Sequence, residues 1–358
     1  MASFLPFDVG RQVAIDAPAF AYIGNNQRSD FESLAETAGG LIFAARAGQV
    51  AAHEFRRVDQ QRPILFDPAL YMEQRPITTG LFDPVAQAVA VQSELSVTAF
   101  ITPSAMTPGG WNATGLRDIL EDAVTFADRV RRDGIERPVF SELVVTPELL
   151  TAGLDTLLEL LADHPHPLAI VPGSRFDLFN ERSHVEGILA CLDAAPGSMM
   201  MRCDLSGLGL LANGASSVGI GTSTSTRHRF LPMRGGGSGR GDRQSPKTIL
   251  VGPLMAFLRV DKLEPHDGDP VFVCDCTACG GESVLRYLEP GLAEEADRHT
   301  TATWRELLNE LLGHEAHERA EAWQRVCRAG IDRCAEFVDR RSAAFAVPRY
   351  LSAWQQSR

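Results

Sequence analysis

Apolar and polar positions alternate along the first two thirds of the chain in a repeating two-part pattern. Short apolar runs, rich in β-branched or aromatic residues, occupy 20–24, 41–47, 64–66, 97–101, 139–145, 168–171, 199–203 and 218–221. Between them lie stretches with helical spacing. In GLRDILEDAVTFADRVRRDG, for example, Leu116, Ile119, Leu120, Val124, Ala127 and Val130 recur on one face. Thr146-Pro147-Glu148 opens another helix, with proline in its first turn. Eight strands separated by helices predict an α/β chain folded as a (β/α)8 TIM barrel. A doubly wound open sheet is the alternative.

Beyond residue 221 the pattern changes. Residues 222–248 are polar and glycine-rich, with six arginines or lysines against one aspartate, and read as a long basic loop. A hydrophobic pattern returns in TILVGPLMAFLRVDKL. The block TWRELLNELLGHEAHERAEAWQRVCRAGIDRCAEFVDRR then has helical periodicity throughout. The expected division is therefore a barrel over 1–258, with its basic loop at 222–248, and a helical subdomain over 259–358.

Three of the seven cysteines crowd into six residues, Cys274, Cys276 and Cys279. Thiolates at C-x-C-x-x-C spacing converge on one ion, and Gly280 and Gly281 permit the tight backbone of such a knuckle. A closed structural Zn2+ site needs a fourth ligand. His299, His314 and His317 are the candidates, with His314 preferred because it follows apolar Leu311 and Leu312. An iron–sulfur cluster would instead recruit Cys327 or Cys334. Free buried thiols are the plain alternative. The subdomain is thus expected to be a zinc-binding one.

Composition adds bounds rather than direction. The chain has 358 residues, 44% hydrophobic and 22% charged, as in ordinary globular proteins. No apolar run approaches the ~20 residues that span a bilayer. The N-terminus lacks a basic, apolar secretory pattern. A cytoplasmic location, with no membrane partner, is the resulting expectation. The net charge of −12 argues against a general nucleic-acid coat, yet leaves room for a local basic patch.

In a barrel, chemistry gathers at the C-terminal ends of the strands. Asp67 and Asp204 stand there as candidate catalytic acids, since glycosidic-bond chemistry divides its work between two carboxylates. Each could equally cap the element that follows. Glu142 lies inside a strand and needs a partner or a cavity. Gly207 and Gly209 could let a backbone amide approach a planar base. Arg227, Arg229 and Arg234, with His228, Arg240, Arg243 and Lys247, form the most cationic stretch and are candidate phosphate contacts. Trp111 could be a stacking platform or a packing residue.

The run from Arg259 to Arg325, with VCDCTACGG followed by LLGHEAHERAEAWQRV, resembles the zinc subdomain of the tRNA-guanine transglycosylase family. The resemblance implies a (β/α)8 barrel, a structural zinc ion, and exchange of guanine for a 7-deazaguanine base in tRNA or DNA. The partners it implies are nucleic acid and a purine or 7-deazapurine base, with a homodimer or a heteromeric partner as a further expectation. The family carries one aspartate in a D-S-G-G-F-Q context. Asp67 in ILFDPALY holds a corresponding kind of position, without the serine and glycines. The family's nucleophilic aspartate aligns with Gly219 or Gly221, which leaves Asp204 as the best nucleophile candidate. It also makes a non-catalytic, zinc-stabilised nucleic-acid-binding subunit a rival, with an unrelated TIM-barrel enzyme as a third possibility.

Overall fold

The computed structural model describes residues 15, 17–23, 30–72, 84–104, 111–174, 177–227, 247–341 and 345–357. Eight strands alternate with eight helices. They are β1 Ala19–Ile23, α1 Phe31–Ala38, β2 Leu41–Ala44, α2 Ala45–Val58, β3 Ile64–Asp67, α3 Pro84–Glu94, β4 Phe100–Ile101 and α4 Ala113–Arg132. Then come β5 Val139–Val145, α5 Leu154–Ala162, β6 Leu168–Pro172, α6 Arg182–Ala194, β7 Met199–Cys203, α7 Gly207–Ala212, β8 Ser217–Gly221 and α8 Thr224–Arg227.

The strands form one parallel sheet in the order β3-β2-β1-β8-β7-β6-β5-β4. It curls into a nearly closed barrel: between its two end strands the Thr98 amide donates to the Ile64 carbonyl at 2.8 Å. Phe20, Tyr22, Ile42, Leu65, Phe140, Ala169, Val171, Met199 and Met201 fill the interior as one cluster. These positions alternate along their strands, the period of 2 that sends every second side chain inward. The intervening residues pack outward against the helices.

A hairpin of β9 Thr248–Val251 and β10 Ala256–Arg259 follows, and then a small one of β11 Val273–Cys274 and β12 Glu282–Ser283. The chain closes with α9 Ala293–Leu312, α10 Arg319–Arg341 and α11 Arg349–Gln356. Trp304, Trp323, Tyr350 and Trp354 from these helices join the core outside the barrel. The expected boundary after residue 258 falls within β10. Ile249 and Val251 of β9 pack in the same cluster as Cys276 and Cys279.

Three local expectations change. Pro147 opens a series of turns, and the regular helix starts only at Leu154. Gly153, just before it, packs against the Trp111 ring, whose Cε2 would lie 2.7 Å from an added Cβ. Trp111 is therefore held in packing. The C-terminal block of helical periodicity is divided between two helices, because α9 ends at Leu312 and α10 begins at Arg319.

Candidate metal centre and barrel mouth

The cysteine knuckle is a hairpin whose tight turn is closed by backbone hydrogen bonds. The amide nitrogens of Cys279 and Gly280 donate to the Cys276 carbonyl at 3.0 and 2.9 Å, and that of Gly281 to Cys274 at 3.0 Å. Gly280 and Gly281 have φ of 60° and 91°, in the left-handed region where a side chain is strained. The fourth group is His299, fully buried near the start of α9. Its Nδ1 lies 3.6, 3.4 and 3.2 Å from the sulfurs of Cys274, Cys276 and Cys279. All four donor atoms lie within 4.8 Å of one another.

These distances fit a tetrahedral ion. Bonds of ~2.3 Å to sulfur and ~2.1 Å to nitrogen at tetrahedral angles put S and N about 3.6 Å apart. His299 Nε2 faces the Leu250 carbonyl at 2.8 Å. A carbonyl only accepts, so Nε2 carries a proton and Nδ1 is the nitrogen that faces the sulfurs. Burial works against charge on this ring, but Cys274 and Cys276 beside it push its pKa up to about 9. The four donor atoms together could hold a metal ion.

His314, preferred from the sequence as fourth ligand, is corrected to His299. It lies just past the C-terminal end of α9, fifteen residues on from His299 and so roughly 22 Å away along the helix. His317 is exposed in the following turn. Leu311 and Leu312, which made His314 attractive, pack instead with the core outside the barrel.

Inside the barrel, beneath the C-terminal ends of the strands, lies a buried polar cluster. Asp67, the last residue of β3, has no exposed surface. Its Oδ1 accepts from the Ala69 amide at 2.6 Å, and Oδ2 accepts from the hydroxyls of Tyr71, at 2.7 Å, and Tyr22. Asp67 therefore caps the turn after its strand and at the same time faces inward. Glu142 of β5 lies against it. Burial, then the neighbouring Asp67, pushes the Glu142 carboxyl well above the usual range, favouring its protonated form. The Ser104 amide donates to Glu142 Oε2 at 3.0 Å.

Arg202 balances this pair. It lies at an irregularity in the pairing of β7 with β8 and has φ of 54°, a conformation costly for a long side chain. The bulge turns its guanidinium inward, where Nη1 donates to the Tyr22 hydroxyl at 3.3 Å. Burial opposes its charge, but Tyr22, Tyr71 and Asp67 hold its pKa above the usual guanidinium value. Sequence reading missed Arg202, Tyr22 and Tyr71. The signal was there: an arginine inside the apolar run MMMRC has to find a buried counter-charge.

Asp204 follows β7 directly and remains partly accessible, with 15% of its side chain exposed. Its Oδ1 lies 3.4 Å from Nε of Arg227. Arg227 is buried, its guanidinium 3.7 Å from the centre of the Phe257 ring, so the expected phosphate contact is an internal ion-pair partner. Lys247 is engaged with Asp297 at 2.7 Å. Arg229 and Arg234, with His228, Arg240 and Arg243, lie outside the described residues.

The glycines predicted to admit a base approach protein atoms instead. A Cβ on Gly207 would lie 2.3 Å from the Cys203 sulfur, and one on Gly209 would lie 2.4 Å from Nε1 of Trp323. Both are sites where α7 packs closely on its neighbours. Gly221 faces backbone, with Thr226 and Arg227 main-chain atoms 2.5 and 2.6 Å from an added Cβ.

Among the described residues no helix is long and apolar enough to cross a membrane. No protein-family model matches the chain, and no curated protein matches it.

Proposed function

We propose that the chain is a zinc-stabilised (β/α)8 protein of the tRNA-guanine transglycosylase type, exchanging guanine for a 7-deazaguanine base in tRNA or DNA. The observation that carries this reading is Asp204. It is a carboxylate at the C-terminal end of a barrel strand, partly open to solvent and paired with a buried cation. In this reading its carboxylate attacks C1′ of the nucleotide and the glycosidic bond to N9 of guanine breaks. The ester formed is then displaced at C1′ by the incoming base.

Asp67 is the acid/base or base-recognising group, with Glu142 as its proton-bearing neighbour. A substrate reaches Asp67 once Tyr71 moves from its carboxylate. The metal would be zinc, held by Cys274, Cys276, Cys279 and His299, because soft thiolates with one imidazole in a closed tetrahedron suit it. Its contribution is structural. The basic segment that includes Arg229 and Arg234 supplies phosphate contacts.

A second reading, a non-catalytic nucleic-acid-binding subunit, draws support from Gly221. It is one of the two glycines, with Gly219, that the resemblance sets against the family's nucleophile, and neither has room for a side chain. One experiment separates the two. The full zinc-loaded chain is incubated with radiolabelled guanine and either tRNA or duplex DNA, and label retained in the polymer is scored. Incorporation into one polymer, abolished in Asp204→Asn, is the expected outcome. Binding of nucleic acid without incorporation would overturn the enzymatic reading in favour of the binding subunit.

A further inference from the structure

Arg227 lies where the barrel, the β9–β10 hairpin and the metal-bearing helix meet. Its guanidinium stacks on Phe257 of β10 at 3.7 Å. Its Nε pairs with Asp204 at 3.4 Å at the end of β7. Its Cγ and backbone lie over Gly221 of β8, at 2.6 Å from the site of a Cβ. Phe257 pairs across the hairpin with Leu250 of β9, whose carbonyl lies 2.8 Å from His299 Nε2, and Lys247, just before β9, bridges Asp297 of α9 at 2.7 Å. Asp297 and His299 are two residues apart on one helix.

A buried guanidinium is tolerated when carboxylates offset its desolvation, and removing one partner leaves the other charge stranded. The planar fork of arginine can stack on a ring and pair edge-on with carboxylates at once. The ammonium of lysine does only the second. Gly221 is the residue that makes room for this arrangement on β8.

We propose that Arg227 is a positioning residue. It fixes the Asp204 carboxylate at the barrel mouth and ties it, through Phe257 and its cross-strand partner Leu250, to His299, so that loading of the metal centre is felt at Asp204. The role assigned to that carboxylate rests on the function proposed above; the coupling itself does not.

The test is amidation of the full-length, zinc-loaded protein by a water-soluble carbodiimide and glycinamide, read at Asp204 by peptide mass spectrometry. Asp177, which also follows a barrel strand, is the internal control. Arg227→Met should raise labelling of Asp204 several-fold while Asp177 stays constant, and Arg227→Lys should fall between it and the wild type. Stripping zinc with a chelator should raise Asp204 labelling in the wild type. Phe257→Ala should bring the zinc-loaded protein to the same level. Unchanged labelling of Asp204 would overturn the proposal, and so would an equal rise at Asp177, which reports general loosening. Base exchange absent from the wild type, with this labelling pattern intact, would reject the proposed function and keep the positioning role. Exchange present without the pattern would do the reverse.

Discussion

His299 Nε2 lies 2.8 Å from the carbonyl oxygen of Leu250, and this one hydrogen bond decides which ring nitrogen faces the three cysteines. Leu250 is on β9, so the hairpin that leaves the barrel also fixes the tautomer of the fourth ligand. Metal binding and the seating of α9 on β9 are thus a single arrangement. His299→Ala should lose stoichiometric zinc in elemental analysis of the purified protein and lower its melting temperature. His314→Ala should keep both. Retention of full zinc by the His299 variant would reject the ligand set.

The cysteine triad was legible in the sequence because its spacing alone brings the sulfurs together. The histidine was not. Its identity depends on where α9 begins relative to β9, a tertiary relation that helical periodicity does not encode. The eight strands were legible for the complementary reason: each is a short apolar run bounded by helix. The boundaries moved where backbone conformation intervened, as at Ala45, which begins α2 with φ of 57° and cuts the second run short. Arg227 and Arg202 were hidden differently. Arg227 reads as surface until the structure supplies Asp204 and Phe257 around it, whereas Arg202 stands in an apolar run that calls for a counter-charge without naming Asp67 and the two tyrosines.

Glu142 carries the clearest pH signature. Its folded-state pKa is raised by burial and by Asp67 above the value of 4.5 it has when free. Stability from its protonated form is therefore complete below about pH 4.5 and is lost as pH rises toward the folded pKa, by up to about 1.4 kcal/mol per pH unit. Glu142→Gln replaces the acid by a neutral amide of the same shape, which can still accept from the Ser104 amide and stays uncharged beside Asp67. Urea titrations from pH 5 to pH 8 should show the variant gaining on the wild type as pH rises. A gap that is constant with pH would mean that Glu142 is ionised in the folded protein.

His164 acts with the opposite sign. Burial, with His166 nearby, lowers its pKa from 6.5 to about 4, and its Nε2 lies 2.7 Å from the Ser141 hydroxyl on β5. Its contribution to stability is present above pH 6.5 and is lost as pH falls toward 4. His164→Gln should flatten the acid limb of the stability curve between those values, as followed by thermal melts in matched buffers. His166, itself lowered by burial and by Arg131, would still titrate, so the flattening should be partial.

Gly221 gives the most direct check on why the barrel mouth differs from its expected pattern. An added Cβ would lie 2.5 Å from the Thr226 carbonyl carbon and 2.6 Å from both the Arg227 amide nitrogen and its Cγ. Two of these are backbone atoms in the turn after β8, which cannot yield as the end of a side chain can. Gly221→Asp should therefore destabilise the protein by about 1–3 kcal/mol or more, the scale of overpacking in a filled interior. It should also displace Arg227 from Phe257 and Asp204. Denaturant midpoints of Gly221→Ala and Gly221→Asp separate the two contributions. If steric conflict dominates, alanine alone should produce most of the loss. A Gly221→Asp protein as stable as the wild type would show that the turn has room for an acid, and the role of Asp204 as the remaining carboxylate would lose its basis.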